Sequence, residues 1–222
     1  MRRFRFYLFM VCTAAVAQHA PQSPAADSLR RLHEGNEAYL AGRFNIEGAG
    51  AKRRIALSQS QHPFASVLAC ADSRVAPELV FSQGLGDLFV VRVAGAVADK
   101  SVLGSLEYAA EHLSVPLVVV VGHTGCGAVK AALDMKAEAA PSMNLAHLLS
   151  FIRPALPGAP GHGDPWRSGV YSSVARSVAD LTRLSPVLDE LEKEGKIMVT
   201  GAVYDLESGK VDFLSAPASS SH

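Results

Sequence analysis

Pro116-Leu117-Val118-Val119-Val120-Val121-Gly122, followed without a break by His123-Thr124-Gly125-Cys126, is the stretch that decides the fold. Its valines occupy odd and even positions alike, so a strand made from it has no polar face and must be buried on both sides. That is the pattern of a parallel sheet covered by helices. The segment from Ala128 to Ala139 then reads as a helix. A buried strand that passes through a glycine-bearing turn into a helix is half of a βαβ unit.

The same pattern recurs on either side. Phe64 to Cys70 is a second near-continuous apolar run, Asp87 to Val93 a third, and Lys196 to Tyr204 a fourth. Glu207-Ser208-Gly209-Lys210 turns the chain into a last short strand, Val211 to Leu214. Between these runs, Val102, Leu103, Leu106, Ala109, Ala110 and Leu113 share one side of a helix over Ser101 to Leu113. Further helices are expected at Ser28 to Leu40 (opened by Asp27 or Ser28), Ala51 to Ser60, Met143 to Ile152, Val170 to Leu184 and Pro186 to Lys193. Pro154 to Trp166 reads as a Pro/Gly loop. The expectation is an α/β domain over residues 28–216, with a mainly parallel central β-sheet flanked by helices and an N-terminal helical arm.

The remaining residues read as processing and tail segments. Met1 to Arg5 carries three arginines, and Phe6 to Ala17 is apolar and ends in Ala15-Val16-Ala17. This is the pattern of a secretory signal peptide cleaved after Ala17, too short to span a bilayer. An exported, periplasmic chain without stable membrane insertion follows, with a linker over 18–27 and a disordered tail over 217–222. Loss of Arg2, Arg3 and Arg5 leaves 18 basic against 21 acidic residues, a net charge of −3. Neither this balance nor the zero charge of the whole chain offers a surface for nucleic acid.

Cleavage also removes Cys12, so Cys70 and Cys126 are the only cysteines that remain. In an oxidising compartment a pair of cysteines invites a disulfide, whereas a bound metal would hold both as thiolates. Their neighbours favour the metal. Cys70-Ala71-Asp72-Ser73-Arg74 follows one strand and His123-Thr124-Gly125-Cys126 follows another. Ligands of open α/β sheets bind outside the carboxyl ends of strands, so both strings arrive at one edge. Two thiolates and an imidazole suit zinc, and three protein ligands leave a fourth position open, as in catalytic sites. Cys126 stands where a helix begins, which favours its thiolate. Gly122, Gly125 and Gly127 let the backbone wrap closely around an ion. Asp72 and Arg74 are close enough to act on whatever fills the fourth position. Taken singly, a strand-end cysteine is usually a small hydrophobe and an Asp-x-Arg pair a simple ion pair; it is the set that points to chemistry. His33, His62, His112, His147 and His162 have no ligand spacing.

With these strings, Leu32 to Asn36, Phe89 to Arg92, Gly104 to Tyr108, Ser185 to Leu188 and Gly201 to Leu206, the chain resembles the β-class carbonic anhydrases over about 180 residues. The resemblance implies one Zn2+ per subunit on Cys70, His123 and Cys126, with Asp72 and Arg74 as a catalytic dyad. It implies reversible hydration of carbon dioxide to bicarbonate and a proton through zinc-bound hydroxide. Asp72 would orient the bound water, and Arg74 would keep Asp72 from taking the metal's open position. Members with a non-catalytic bicarbonate pocket carry Trp three residues before the first cysteine. Here that position is Val67, which places the chain in the plant-like group. Gln61, Phe89 and Tyr108 match residues that line the substrate cleft in that group, Gln61 across a dimer interface. A homodimer or dimer of dimers is implied, its N-terminal helix packed on the partner subunit. Two other readings remain open at this point: hydrolysis of carbon disulfide or carbonyl sulfide on the same scaffold, and a zinc-binding or thiol redox module.

Overall fold

The computed structural model describes residues 23–45, 47–136, 140–156 and 164–214. The signal-peptide segment, its cleavage point, the whole 217–222 tail and the end of the expected 128–139 helix lie outside them.

Among the described residues five strands form one sheet in the order β2-β1-β3-β4-β5: β1 Ala65–Ala69, β2 Leu88–Arg92, β3 Leu117–His123, β4 Met198–Tyr204 and β5 Val211–Phe213. The first four are parallel and β5 is antiparallel to β4. Burial follows position. β1 and β3 are buried throughout, as their unbroken apolar runs require. β2, at the edge, is only half-buried despite carrying Leu88, Phe89, Val90 and Val91.

Because successive side chains alternate across a strand, each apolar run feeds two cores. Leu68, Val118 and Val120 face one core, with residues of α4 (Lys100–His112), α5 (Gly127–Asp134), α6 (Met143–Ile152), α7 (Pro165–Leu184) and α8 (Pro186–Lys193). Val67, Val119 and Val121 face the other, with Leu32 of α1 (Pro24–Leu40) and Val80 of α3 (Pro77–Val80). The short α2 (Ala51–Ala56) is exposed or half-exposed along its length. Helix α7 lies tight on the sheet because β3 and β4 present glycine beneath it. A Cβ on Gly122 would come within 2.4 Å of Val174, and one on Gly201 within 2.7 Å of the same side chain.

Several boundaries depart from the sequence reading. Helix α1 starts at Pro24, inside the expected 18–27 linker, because Ser23 caps it and Pro24 supplies the first helical φ. Asp164 and Pro165 open α7 in the same way, five residues before the expected start at Val170. Helix α5 ends at Asp134, since Met135 is already extended. Helix α2 stops at Ala56, not Ser60, and the one-turn α3 is a helix that the sequence pattern does not predict.

Helix α1 turns one face, Ala25, Ser28, Leu32, Gly35 and Asn36, to its own chain. It is fixed to its own sheet: Leu32 is fully buried, and Asn36 donates to the carbonyls of Val80 (3.1 Å) and Gly209 (3.0 Å) while accepting from Val211 N–H (2.9 Å). A buried amide satisfied by three backbone groups is a strong local pin.

Candidate metal centre

Cys70 leaves the end of β1, His123 ends β3, and Cys126 caps α5. Gly125 takes the left-handed conformation (φ 70°), which turns the chain back within three residues. The ligating atoms of Cys70, His123 and Cys126 all lie within 4.8 Å of one another, and all three residues are buried. Thr124 anchors this turn, its N–H donating to the carbonyl of Tyr204 (2.9 Å) and its hydroxyl accepting from Leu206 N–H (3.0 Å).

His123 Nδ1 lies 3.0 Å from the carbonyl oxygen of Thr124. A carbonyl can only accept, so Nδ1 carries the proton and Nε2 presents its lone pair. Nε2 is buried and has no hydrogen-bond partner among the described residues. An unpaired buried imidazole nitrogen facing two sulfurs is unfavourable unless an electrophile completes it. The donors therefore fit a zinc ion, with the second bond on the histidine that such sites use.

The two thiols differ without metal. A hydrogen bond from Cys126 outweighs burial and, with backbone N–H groups, holds Cys70 down at about 4. Among those groups Gly95, at φ 73°, points its N–H at Cys70 Sγ from 3.3 Å. The same bond and burial push Cys126 well up, the backbone N–H groups of Val129 and Ala128 acting the other way.

Asp72 stands beside this set and outside it. Arg74 binds both of its oxygens, Nε to Oδ1 at 2.9 Å and Nη2 to Oδ2 at 2.7 Å, and the Arg74 N–H adds a bond to Oδ1 at 3.0 Å. These bonds hold the carboxyl well below the ordinary carboxylate range, against a smaller effect of burial. Asp72 Oδ2 still lies 3.7 Å from His123 Nε2. An ionised carboxylate is thus held beside the Cys70, His123 and Cys126 donor set by a bidentate arginine.

Two residues without a role in the sequence reading support the centre. Arg92 donates to the carbonyls of Cys70 (3.2 Å) and Asp72 (2.7 Å) and so braces the turn that carries both. Trp166 donates its indole N–H to the carbonyl of Cys126 at 2.8 Å. Arg92 belongs to the Phe89 to Arg92 stretch that carries the family resemblance, whereas Trp166, 40 residues from Cys126, has no local sequence signal.

The cleft residues are not brought to this centre. Phe89 pairs in register with Ser66, four positions before Cys70 along the sheet, or about 13 Å. Tyr108 packs beside it, ring centroids 6.4 Å apart, and is half-exposed. Gln61 is exposed and precedes β1, at the opposite end of that strand from Cys70.

Two buried sulfurs and a buried imidazole nitrogen that could hold a metal, with a restrained carboxylate at the carboxyl edge of a mainly parallel sheet, define the class: an α/β protein with a candidate metal centre. The family described as carbonic anhydrase matches residues 65–211. The carbonic anhydrase of Mycolicibacterium smegmatis is 39% identical over 197 residues, 88% of this chain and 96% of that protein. Carbonic anhydrase 2 of Mycobacterium tuberculosis is 37% identical over 204 residues, 86% of this chain and 93% of that one. Among solved structures, Coccomyxa β-carbonic anhydrase in complex with acetazolamide superposes with a TM-score of 0.66 at 27% identity, covering 88% of this chain and 87% of that chain. The β-carbonic anhydrase CcaA matches with the same score at 25% identity, over 87% and 94%. The chain belongs to the β-carbonic anhydrase family and is an enzyme of the carbonic anhydrase class.

Proposed function

We propose that this chain catalyses the zinc-dependent, reversible hydration of carbon dioxide to bicarbonate and a proton, as an exported enzyme working in a homodimer. The observation that carries the reading is the Asp72–Arg74 pair. A carboxylate so near a metal would ordinarily coordinate it, and the bidentate arginine keeps it aside.

Cys70, His123 and Cys126 would hold the ion. Zinc in such a site acts as a Lewis acid that makes water acidic near neutral pH. The protein supplies the rest. Asp72, ionised throughout the working range, accepts a hydrogen bond from the attacking water and orients its lone pair toward the carbon of the substrate. Arg74 fixes that carboxylate in one rotamer. Thr124 fixes the His123 ring, and the Gly95 N–H steadies the Cys70 sulfur. A thiolate-rich site moderates the positive charge of the metal, and the buried surroundings exclude bulk water from its inner face.

The homodimer rests on β2, an edge strand whose apolar residues are half-buried and whose outer backbone groups have no neighbouring strand among the described residues. Phe89 and Tyr108 lie on that edge, away from their own metal centre. A cleft formed with them and Gln61 would serve a second subunit's metal. Export rests on the sequence of residues 1–17. No helix among the described residues is long and apolar enough to cross a membrane.

The test is zinc content measured with carbon dioxide hydration, for the wild type and Asp72→Asn. Stoichiometric zinc in both, with hydration largely lost in the variant, is expected. Zinc-loaded wild type that does not hydrate carbon dioxide but turns over carbonyl sulfide would replace the substrate. Cys70 and Cys126 are free thiols in the structure. A disulfide between them in freshly isolated protein would refute the metal reading.

A further inference from the structure

We infer that Trp166 is a positioning residue for Cys126, and that its indole N–H sets how firmly the centre holds its metal. The inference rests on the metal reading above and adds a residue that no motif contains. Cys126 is the N-cap of α5, with extended backbone (φ −65°, ψ 117°), and its side chain makes no capping bond. Its carbonyl already accepts the first helical hydrogen bond, from Lys130 N–H at 3.1 Å. The Trp166 indole N–H donates to the same oxygen at 2.8 Å. Both lone pairs of that oxygen are then engaged, and the peptide plane between Cys126 and Gly127 can no longer rock.

That plane matters because, with its side-chain cap unused, Cys126 would otherwise be held at ψ by the single helical bond from Lys130. Rotation there would swing the first N–H groups of α5 away from Cys126 Sγ, including those of Val129 and Ala128 that favour its thiolate. It would also turn Cys126 Sγ relative to the helix that Cys126 opens. Gly125 and Gly127 on either side offer no side chains to resist such motion. The tryptophan supplies the resistance from outside the loop.

Trp166 is itself well held. It stands in the first turn of α7, where its backbone N–H donates to the capping Asp164 carboxylate at 3.2 Å. Its ring packs against the core on the α7 side of the sheet, with Lys130 Nζ 5.9 Å from the ring centroid. Three residues on, Gly169 brings α7 close to α5, for a Cβ there would lie 3.1 Å from Val129. The clamp thus links the start of α5 to a helix seated on β3 and β4. Partners of this kind, one bond removed from a ligand, typically change metal affinity by about 10- to 100-fold.

The test uses Trp166→Phe, which keeps an aromatic ring and deletes the donor. Release of zinc to a strong chelator is expected to quicken by about tenfold or more. The thiolate-to-metal absorption of the cobalt-substituted chain is expected to shift. The melting temperature of the metal-free chain should fall far less than that of the loaded chain, whereas a packing role would lower both alike. Trp166 is the single tryptophan. If the variant does not fold, 5-fluorotryptophan in the otherwise unchanged chain gives one fluorine resonance, expected to move on chelation and return with zinc. Unchanged zinc release and cobalt absorption in a folded variant, or a fluorine resonance indifferent to metal, overturns the clamp alone. Wild type that fails to retain zinc overturns the metal reading and the clamp together.

Discussion

Arg74→Ala isolates what the arginine does for the carboxylate. The substitution removes two charge-assisted hydrogen bonds to Asp72, at 2.9 and 2.7 Å, and leaves only the backbone N–H bond at 3.0 Å. The Arg74 side chain is 58% exposed and solvent screens part of both bonds, yet they set the rotamer in which Asp72 meets the reacting water, so their loss is expected to lower kcat/KM on the order of 100-fold. The released carboxylate, 3.7 Å from His123 Nε2, is then free to swing toward the open position. Hydration by stopped flow and zinc by atomic absorption separate the outcomes: activity falls while zinc stays at one per chain. The double variant Asp72→Asn with Arg74→Ala should be little worse than Asp72→Asn alone, because the arginine acts through the aspartate. An Arg74→Ala chain with full activity, or equal further loss in the double variant, would refute this reasoning.

Two further expectations concern stability. Ser66 is fully buried in β1 and its hydroxyl has no partner among the described residues, so Ser66→Ala should stabilise the chain by about 1 kcal/mol in denaturant melts; destabilisation by that amount would show an overlooked partner. In the metal-free chain the thiols titrate in opposite directions. Cys70, lowered to about 4, adds stability that is fully present above its unfolded pKa of ~8.5 and lost as pH falls toward 4. Cys126, raised, adds stability present below ~8.5 and lost as pH rises beyond it. Metal-free stability should therefore decline from pH 8 to pH 4, with thiolate absorbance near 240 nm for one cysteine at pH 6. No thiolate signal until above pH 8 would contradict this.

The sheet was legible where burial leaves no choice. A strand buried on both faces must be apolar at every position, and β1 and β3 are. The ligands were legible for a related reason: the carboxyl ends of those strands are where ligands gather, and Cys70 and His123 stand there. Helix starts were harder. Ser23-Pro24 and Asp164-Pro165 carry a cap and a first-turn proline, yet both lie in stretches rich in proline, alanine or glycine that read as linker or loop. Their helices are fixed by packing, α7 through Val174 over Gly122 and Gly201. Arg92 and Trp166 act through backbone carbonyls 20 or more residues away, and a backbone carbonyl has no sequence signature.

The edge strand bears on whether one chain forms a complete site. Phe89 and Tyr108 sit near the amino end of β2, whereas the metal centre lies beyond the carboxyl end of β1 and β3. No rotamer change spans a separation of about 13 Å along the sheet. If these rings line a substrate cleft, they line that of a second copy placed against the β2 edge. Val90→Lys places a charge in the middle of that half-buried edge, a device that blocks strand-edge association. We expect a monomer by light scattering that retains zinc, because the three ligands come from one chain. Hydration should fall with the loss of the second copy and recover as rising protein concentration restores the dimer. A monomeric variant with wild-type hydration would show that each chain completes its own cleft, and would return Phe89 and Tyr108 to a purely structural role.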